Sequence, residues 1–381
     1  MCQFRLRRLA RPASARDPVR VSRGDFHMLR FMITAVAAAG AMLATAGSQA
    51  QSEGRWALVI HGGAGVIERG AMTPEREAEY RDAMNAALVR GEAVLDQGGS
   101  ALDAIEAVIH GMEDDPLFNA GRGAVFTAAG RNELDASIMD GASLEAGAVA
   151  GVTQVRHPIS LARAVMDNSR HVMLQGEGAE TFAREQELEI VPPAYFFTER
   201  RWAAMERSLG ALGLPIPSRP DGAPAPTGVD HGELDRDARE HRFGTVGVVA
   251  LDRAGNIAAG TSTGGTTAKR WGRVGDSPII GAGTYANNAS CGVSATGTGE
   301  YFIRLTVASR ICALVEFQGL DLQAASDQVI GDELTAMGGD GGIVALTPGG
   351  EIAWSFNTPG MYRARLSEGG EPVVAIYGDE D

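Results

Sequence analysis

Two threonines, Thr245 and Thr263, stand at the open ends of a segment that reads as a tight antiparallel hairpin. Asp252-Arg253-Ala254-Gly255-Asn256 supplies turn-forming residues between two apolar, β-prone runs. Pairing symmetric about Ala254 sets Val246 opposite Ser262 and Thr245 opposite Thr263, which brings two hydroxyls within hydrogen-bonding reach. A threonine hydroxyl inside a chain is a poor nucleophile, because it needs a base to take its proton as it attacks. The α-amine of an N-terminal threonine is such a base, and it titrates at about 8. Thr245 acquires that amine only if the bond from Gly244 is cut. Gly244 lets the scissile carbonyl be approached closely and twisted. We therefore expect Thr245 to attack its own preceding carbonyl, and water to open the resulting ester. The same pattern also fits two ordinary strand threonines, which β-propensity alone explains.

Further along, Arg273 and Asp276 sit in a glycine-flanked loop and can grip a carboxylate and an ammonium, the two ends of an amino acid. A surface salt bridge is the plainer alternative. Thr296 and Gly297 can aim a hydroxyl and a backbone N–H at one point, as an oxyanion hole requires, or form a simple turn.

These residues need elements to hold them. Trp56 to Ile60 reads as a short apolar strand, and His61-Gly62-Gly63-Ala64-Gly65 as a glycine turn closing it. Thr73 caps one helix with Pro74 in its first turn, and Ser100 with Asp103 opens a second in capping-box fashion. Leu102, Ile105, Val108, Ile109 and Met112 fall on one face of that second helix, so it packs on a core. Asp114-Asp115-Pro116 ends it, and a loop through Asn119 and Gly121 leads to an expected strand from Ala124 to Thr127. Helices are expected from Pro158 and Glu177, an apolar helix from Tyr301 to Phe317, and a second hairpin from Gly341 to Phe356 around Pro348-Gly349-Gly350. Residues 214–242 are rich in proline, glycine and charge without apolar periodicity, as in an exposed linker. Strands outnumber long helices and helices come in pairs, so a sheet-on-sheet core with outer helical layers is expected.

The 381 residues are 44% hydrophobic, enough to bury a full core. Residues 1–50 hold eight arginines and two aspartates, so the net charge of −14 concentrates to −20 in the remainder. Such an acidic body disfavours nucleic acid and anionic membrane surfaces. The spacing of Cys2, Cys291 and Cys312 matches neither a disulfide framework nor a zinc site, so Cys291 and Cys312 read as small buried apolar groups. Met28-Leu29-Arg30, the apolar run Phe31 to Leu43 and the small residues Ser48 and Ala50 form an export signal, 28–50, with cleavage before Gln51. The run is shorter than the roughly 20 residues of a membrane span, so export, to the periplasm, is expected rather than anchoring. Residues 1–27 then read as an upstream extension outside the native chain.

Seven motifs together are specific: His61 to Gly65, Phe118-Asn119-Ala120-Gly121, Gly244-Thr245-Val246-Gly247, Thr261-Ser262-Thr263-Gly264-Gly265, Gly272-Arg273-Val274-Gly275-Asp276-Ser277-Pro278, Tyr285-Ala286-Asn287-Asn288 and Thr296-Gly297-Thr298-Gly299-Glu300. Over about residues 55 to 377 the chain resembles the plant-type L-asparaginase and isoaspartyl peptidase family of N-terminal nucleophile hydrolases. The resemblance implies an α+β, four-layer αββα sandwich, and self-cleavage into an alpha subunit, 51–244, and a beta subunit, 245–381, of one domain. It further implies a dimer of cleaved protomers. By motif, Thr245 is the nucleophile, Thr263 its hydroxyl partner, Arg273 and Asp276 the binders of the α-carboxylate and α-ammonium, Thr296 and Gly297 the oxyanion hole, and Asn119 a neighbour of the nucleophile. No cofactor is implied for the chemistry. A structural sodium ion is implied on the backbone carbonyls of a loop matching Met112, Glu113, Asp115, Phe118, Ala120 and Arg122. The expected substrates are L-asparagine and β-aspartyl dipeptides. A glycosylasparaginase of the same fold, and an uncleaved exported binding protein for acidic amino acids, are the alternatives.

Overall fold

The computed structural model describes residues 54–65, 67–70, 72–225 and 244–380. The upstream extension, the export signal and residues 226–242 of the linker lie outside the described residues.

The chain opens with β1 (Ala57–Gly65), α1 (Pro74–Asp96) and α2 (Ala101–Asp114). Both helices start where their caps put them: the Thr73 side chain accepts from the Arg76 N–H, and Ser100 and Asp103 form a reciprocal capping box. There follow β2 (Leu134–Asp140), β3 (Ala146–Val152), α3 (Pro158–Asn168), β4 (Met173–Gln175), α4 (Gly176–Glu185) and α5 (Glu199–Ala211). After the linker come β5 (Val246–Leu251), β6 (Ile257–Thr263), β7 (Thr284–Ala286), β8 (Gly292–Gly297), α6 (Gly299–Leu305), α7 (Val307–Gln318) and α8 (Leu322–Asp327), which runs into a π-helical turn over Gln328–Leu334. The strands β9 (Gly341–Leu346), β10 (Ile352–Phe356), β11 (Gly360–Ser367) and β12 (Val373–Tyr377) complete the described chain.

Among the described residues there are two sheets, one of eight strands in the order β12-β11-β1-β5-β6-β2-β3-β4 and one of four in the order β10-β9-β8-β7. Period-two alternation assigns each side chain to a layer. On β1, Leu58 and Ile60 join the core under α1, α2 and α3, whereas Ala57 and Val59 face the other sheet. On β9, Val344 and Leu346 meet that inter-sheet core, whereas Ile343 and Ala345 pack with Phe302, Ile311 and Leu322 of the second helical layer. The result is an αββα sandwich. Strands buried on both faces read as unbroken apolar runs, which is why β1, β5 and β9 look alike in sequence. Among the described residues no helix is long and apolar enough to cross a membrane.

Four local expectations are corrected. The His61 to Gly65 segment is strand rather than turn, with a bulge between His61 and Gly63 that keeps it paired to β11. Ala124 to Thr127 is not a strand, because side chains take its main-chain groups: Val125 N–H donates to Asn119 Oδ1, and Asn132 Nδ2 donates to the Ala124 and Val125 carbonyls. The apolar helix from Tyr301 is broken at Thr306, whose φ of 51° is left-handed. The next turn starts afresh because the Ala308 and Ser309 N–H groups bond to the Ala282 and Gly281 carbonyls. Finally, Cys291 and Cys312 are buried as expected but are joined in a disulfide, since β8 and α7 bring their Cα atoms to 5.3 Å.

Candidate active site

The β5–β6 hairpin has the register read from its turn. Val246 pairs with Ser262 and Leu251 with Ile257, and Gly255 takes φ 83° in the turn. Beyond the last pair, Thr245 Oγ1 lies 3.0 Å from Thr263 Oγ1, both residues buried. Thr263 Oγ1 also accepts the Gly265 N–H at 3.0 Å, so its acceptor sites are filled and its own proton is left to donate.

Asn119 fastens the segment before Thr245. Its backbone N–H donates to the Gly244 carbonyl at 3.1 Å, and its carbonyl accepts the Gly264 N–H at 3.0 Å. Its side chain donates to the Gly265 carbonyl at 2.8 Å. Its main-chain groups and its side-chain N–H thus tie the loop after α2 to the two ends of the hairpin, while its Oδ1 accepts the Val125 N–H.

Thr245, Thr263, Arg273, Asp276 and Gly297 line one pocket, together with Gly265, Thr266, Gly275 and Ser277. Arg273 bonds not to Asp276 but to Glu300, through Nε and Nη2, each at 3.0 Å. That grip engages Nε and Nη2, while Nη1 lies beside Gly265 and Gly275, which line the same pocket. Asp276 is buried, its Oδ2 has no hydrogen-bond partner, and desolvation pushes its carboxyl up to about 7. A buried carboxyl oxygen without a partner is the feature a ligand ammonium would satisfy. Thr296 is fully buried at the end of β8, where its Oγ1 accepts the Ala64 N–H at 3.4 Å.

The loop proposed for sodium offers oxygen. Met112 and Glu113 end α2, where Pro116 has no N–H to give the Met112 carbonyl and the Leu117 N–H turns to the Asp115 carboxylate at 2.9 Å. Both carbonyls thus lose the donor a continuing helix would supply. Gly121 packs on the Glu113 carbonyl and Gly123 on the Phe118 carbonyl, with no room for a Cβ at either place. The Met112 and Glu113 oxygens at this helix end suit a hard cation, while the Asp115 and Ala120 carbonyls already accept the Phe118 and Gly123 N–H groups and have one lone pair each to offer.

Three contacts escaped the sequence reading. His61 Nδ1 lies 3.1 Å from the Thr245 carbonyl oxygen, although the sequence reading assigned the His61 side chain no role. The Glu113 side chain, fully buried, accepts from Ser262 Oγ at 2.6 Å, next to Thr263. Asp135 pairs across the ladder with Thr263 and lies 3.7 Å from the buried Lys269 ammonium. Burial pushes the Asp135 carboxyl above the usual carboxylate range against the pull of Lys269. Nothing in sequence spacing signals these contacts, because each joins distant strands or loops.

The chain matches the asparaginase family Asparaginase_2 over residues 54–376. It is 47% identical over 324 residues to the isoaspartyl peptidase of Escherichia coli (strain K12), covering 85% of this chain and 97% of that protein. It is 43% identical over 328 residues to a probable isoaspartyl peptidase/L-asparaginase 2 of Arabidopsis thaliana, covering 85% of this chain and 99% of that protein. A plant-type L-asparaginase of Pyrococcus furiosus is 41% identical over 326 residues, with 84% of this chain and 99% of that protein covered. With the layered fold, the threonine pair and these matches together, the chain belongs to the asparaginase family Asparaginase_2.

Proposed function

We propose that this protein cuts itself between Gly244 and Thr245 and then hydrolyses β-aspartyl dipeptides and L-asparagine, releasing L-aspartate. The observation that carries the reading is the 3.0 Å pairing of Thr245 Oγ1 with Thr263 Oγ1 in the pocket that also holds Arg273 and Asp276. The names of the relatives support the same substrates.

In the first step Thr245 Oγ1 attacks the Gly244 carbonyl, whose oxygen the Asn119 N–H polarises. The amide becomes an ester, its nitrogen leaves as the α-amine of Thr245, and water releases the Gly244 carboxylate. In turnover that amine takes the Oγ1 proton as Oγ1 attacks the β-carbonyl of the substrate. Thr296 Oγ1 and the Gly297 N–H hold the oxyanion, and the protonated amine gives its proton to the leaving ammonia or amino acid. Water then opens the aspartyl ester. Arg273 Nη1 takes the substrate α-carboxylate and Asp276 the α-ammonium, so one clamp serves both substrates. A sodium ion on the carbonyls of the Met112 to Arg122 loop would stiffen the segment that presents Asn119. Cleaved protomers pair into a dimer, as the resemblance implies.

Residues 28–50 direct export to the periplasm. The disulfide between Cys291 and Cys312 supports this, since such bonds persist in oxidising compartments. A periplasmic fraction should yield a chain beginning at Gln51, and retention with reduced cysteines would refute export.

The test of the activity is the intact mass of purified protein, followed by aspartate release from β-aspartyl dipeptides and asparagine. Two fragments meeting at Gly244 and Thr245, with aspartate released, are expected. An uncut chain that binds but does not turn over either substrate would sink the reading.

A further inference from the structure

Between the sheets runs a connected line of five polar side chains. Ser137 Oγ lies 2.6 Å from the Ser277 carbonyl oxygen and 2.8 Å from Thr284 Oγ1. Thr284 donates to Thr261 at 2.6 Å, and Thr261 Oγ1 is 2.7 Å from Ser294 Oγ. Ser294 Oγ is in turn 2.9 Å from His61 Nε2, and His61 Nδ1 is 3.1 Å from the Thr245 carbonyl oxygen. All five side chains are at 0% exposure. They come from β2, β7, β6, β8 and β1, so the line stitches the two sheets together beneath the pocket.

Its direction at the nucleophile follows from chemistry. A carbonyl oxygen only accepts, so His61 carries its proton on Nδ1 and its Nε2 accepts from the Ser294 hydroxyl. Burial lowers the imidazole pKa to about 3, against the raising effect of the Thr245 bond, so the ring stays neutral. Gly247 makes room for the line: it pairs with His61 across the ladder, and a Cβ there would collide with Ser294 Oγ and His61 Nε2. One end of the line is Ser137, whose single proton goes either to Thr284 or to the Ser277 carbonyl beside Asp276, and the other is the main chain of Thr245.

We propose that His61, Ser294, Thr261, Thr284 and Ser137 are positioning residues that hold the Thr245 main chain in register with the Arg273 and Asp276 clamp after the bond to Gly244 is cut. This rests on the reading that Thr245 becomes the N-terminal nucleophile. Before the cut, peptide bonds hold Thr245 on both sides. Afterwards its amino side is free, and the grip on its carbonyl from β1 joins the Thr263 contact in keeping Oγ1 aimed at the substrate.

The experiment compares Ser294→Ala, Thr261→Val and Thr261→Ser with the wild type, by intact mass, thermal melting and steady-state hydrolysis of a β-aspartyl dipeptide. Ser294→Ala and Thr261→Val should still be cut, should keep KM, and should lose about tenfold or more in kcat, since each removes a hydroxyl that links two members of the line. Thr261→Ser keeps the hydroxyl but removes a methyl, and should restore kcat. A merely structural role predicts the reverse order, since valine keeps the shape of threonine. Wild-type kcat in Ser294→Ala and Thr261→Val, equal losses in Thr261→Val and Thr261→Ser, a change confined to KM, or failure of Ser294→Ala to be cut would each overturn the proposal. Nitrogen-15 spectra of histidine-labelled protein read the line without turnover: His61 should appear as the Nδ1–H tautomer at pH 5 and 8, and its Nε2 signal should move in Ser294→Ala. The opposite tautomer overturns the positioning role, whereas a wild type that is cut and shows the Nδ1–H signal yet releases no aspartate would fault the substrate assignment alone.

Discussion

Gly63, in the bulge of β1, packs so closely against Gly244 that a Cβ on it would stand 2.6 Å from the Gly244 Cα. Its φ of 112° also excludes other residues without strain. A Gly63→Ala substitution must therefore push the Gly244 carbonyl away from the Asn119 N–H. We expect self-cleavage to slow about tenfold or more, the effect of one to three kcal/mol of misplacement. A time course of intact mass after synthesis reads it, and a wild-type rate would show that the contact does not govern the cut.

Thr245→Ala removes the attacking oxygen and should leave one uncut chain with no hydrolysis. Fragments arising spontaneously in that variant would end the case for self-cleavage. Thr263→Val leaves the Gly265 N–H and Thr245 Oγ1 unpartnered, and should lower kcat by about 100-fold, whereas Thr263→Ser should keep most of it.

The proposed clamp should be separable from the proposed cut. Arg273→Ala should mature normally while KM for asparagine rises by about 100-fold, as the loss of a charge-assisted contact predicts. Glu300→Gln keeps the guanidinium but weakens its two-point anchor, so Nη1 wanders and KM should rise only about fivefold. Unchanged KM in Arg273→Ala would remove it from the clamp.

As the proposed ammonium binder, Asp276 should give binding a pH dependence. Its carboxyl is pushed up to about 7 by burial, and an arriving ammonium favours the ionised form. As pH falls below about 7 the free protein holds a proton that must leave before the ammonium binds, so L-aspartate affinity should fall by up to about tenfold per pH unit. Calorimetric titrations from pH 5 to 8 measure this, and Asp276→Asn should be weak and flat across the range. A flat profile in the wild type would mean that Asp276 is already ionised throughout.

The disulfide joins the start of β8 to α7. Cys312→Ala should lower stability by about 2 to 4 kcal/mol while leaving KM alone. Thermal melts with and without reductant measure it; equal melting temperatures for the variant and the oxidised wild type would show that the bond contributes nothing.

Much of the frame was legible because its signals are local. Thr73 with Pro74, and Ser100 with Asp103, state where α1 and α2 begin, since capping needs residues only three apart. The runs of β1, β5 and β9 announce strands covered on both faces, and hence a layered fold. The expected strand at Ala124 to Thr127 failed for the opposite reason: Asn119 and Asn132 take its main-chain groups through loop geometry that propensity does not encode. The helix from Tyr301 broke at Thr306 because carbonyls of another loop capped its second half. Cys291 and Cys312 pair because a strand and a helix happen to meet there.

The approach of Thr245 to Thr263 was settled by sequence alone. A hairpin's register follows from its turn, and pairing symmetric about Ala254 sets Val246 opposite Ser262, as the structure has it. What surrounds that pair was decided only in three dimensions. His61 arrives from β1 and Ser294 from the second sheet, and Arg273 turns to Glu300 rather than Asp276. Each of these contacts depends on how layers stack and how closely backbones approach, and packing of that kind is a property of the whole folded chain rather than of any segment.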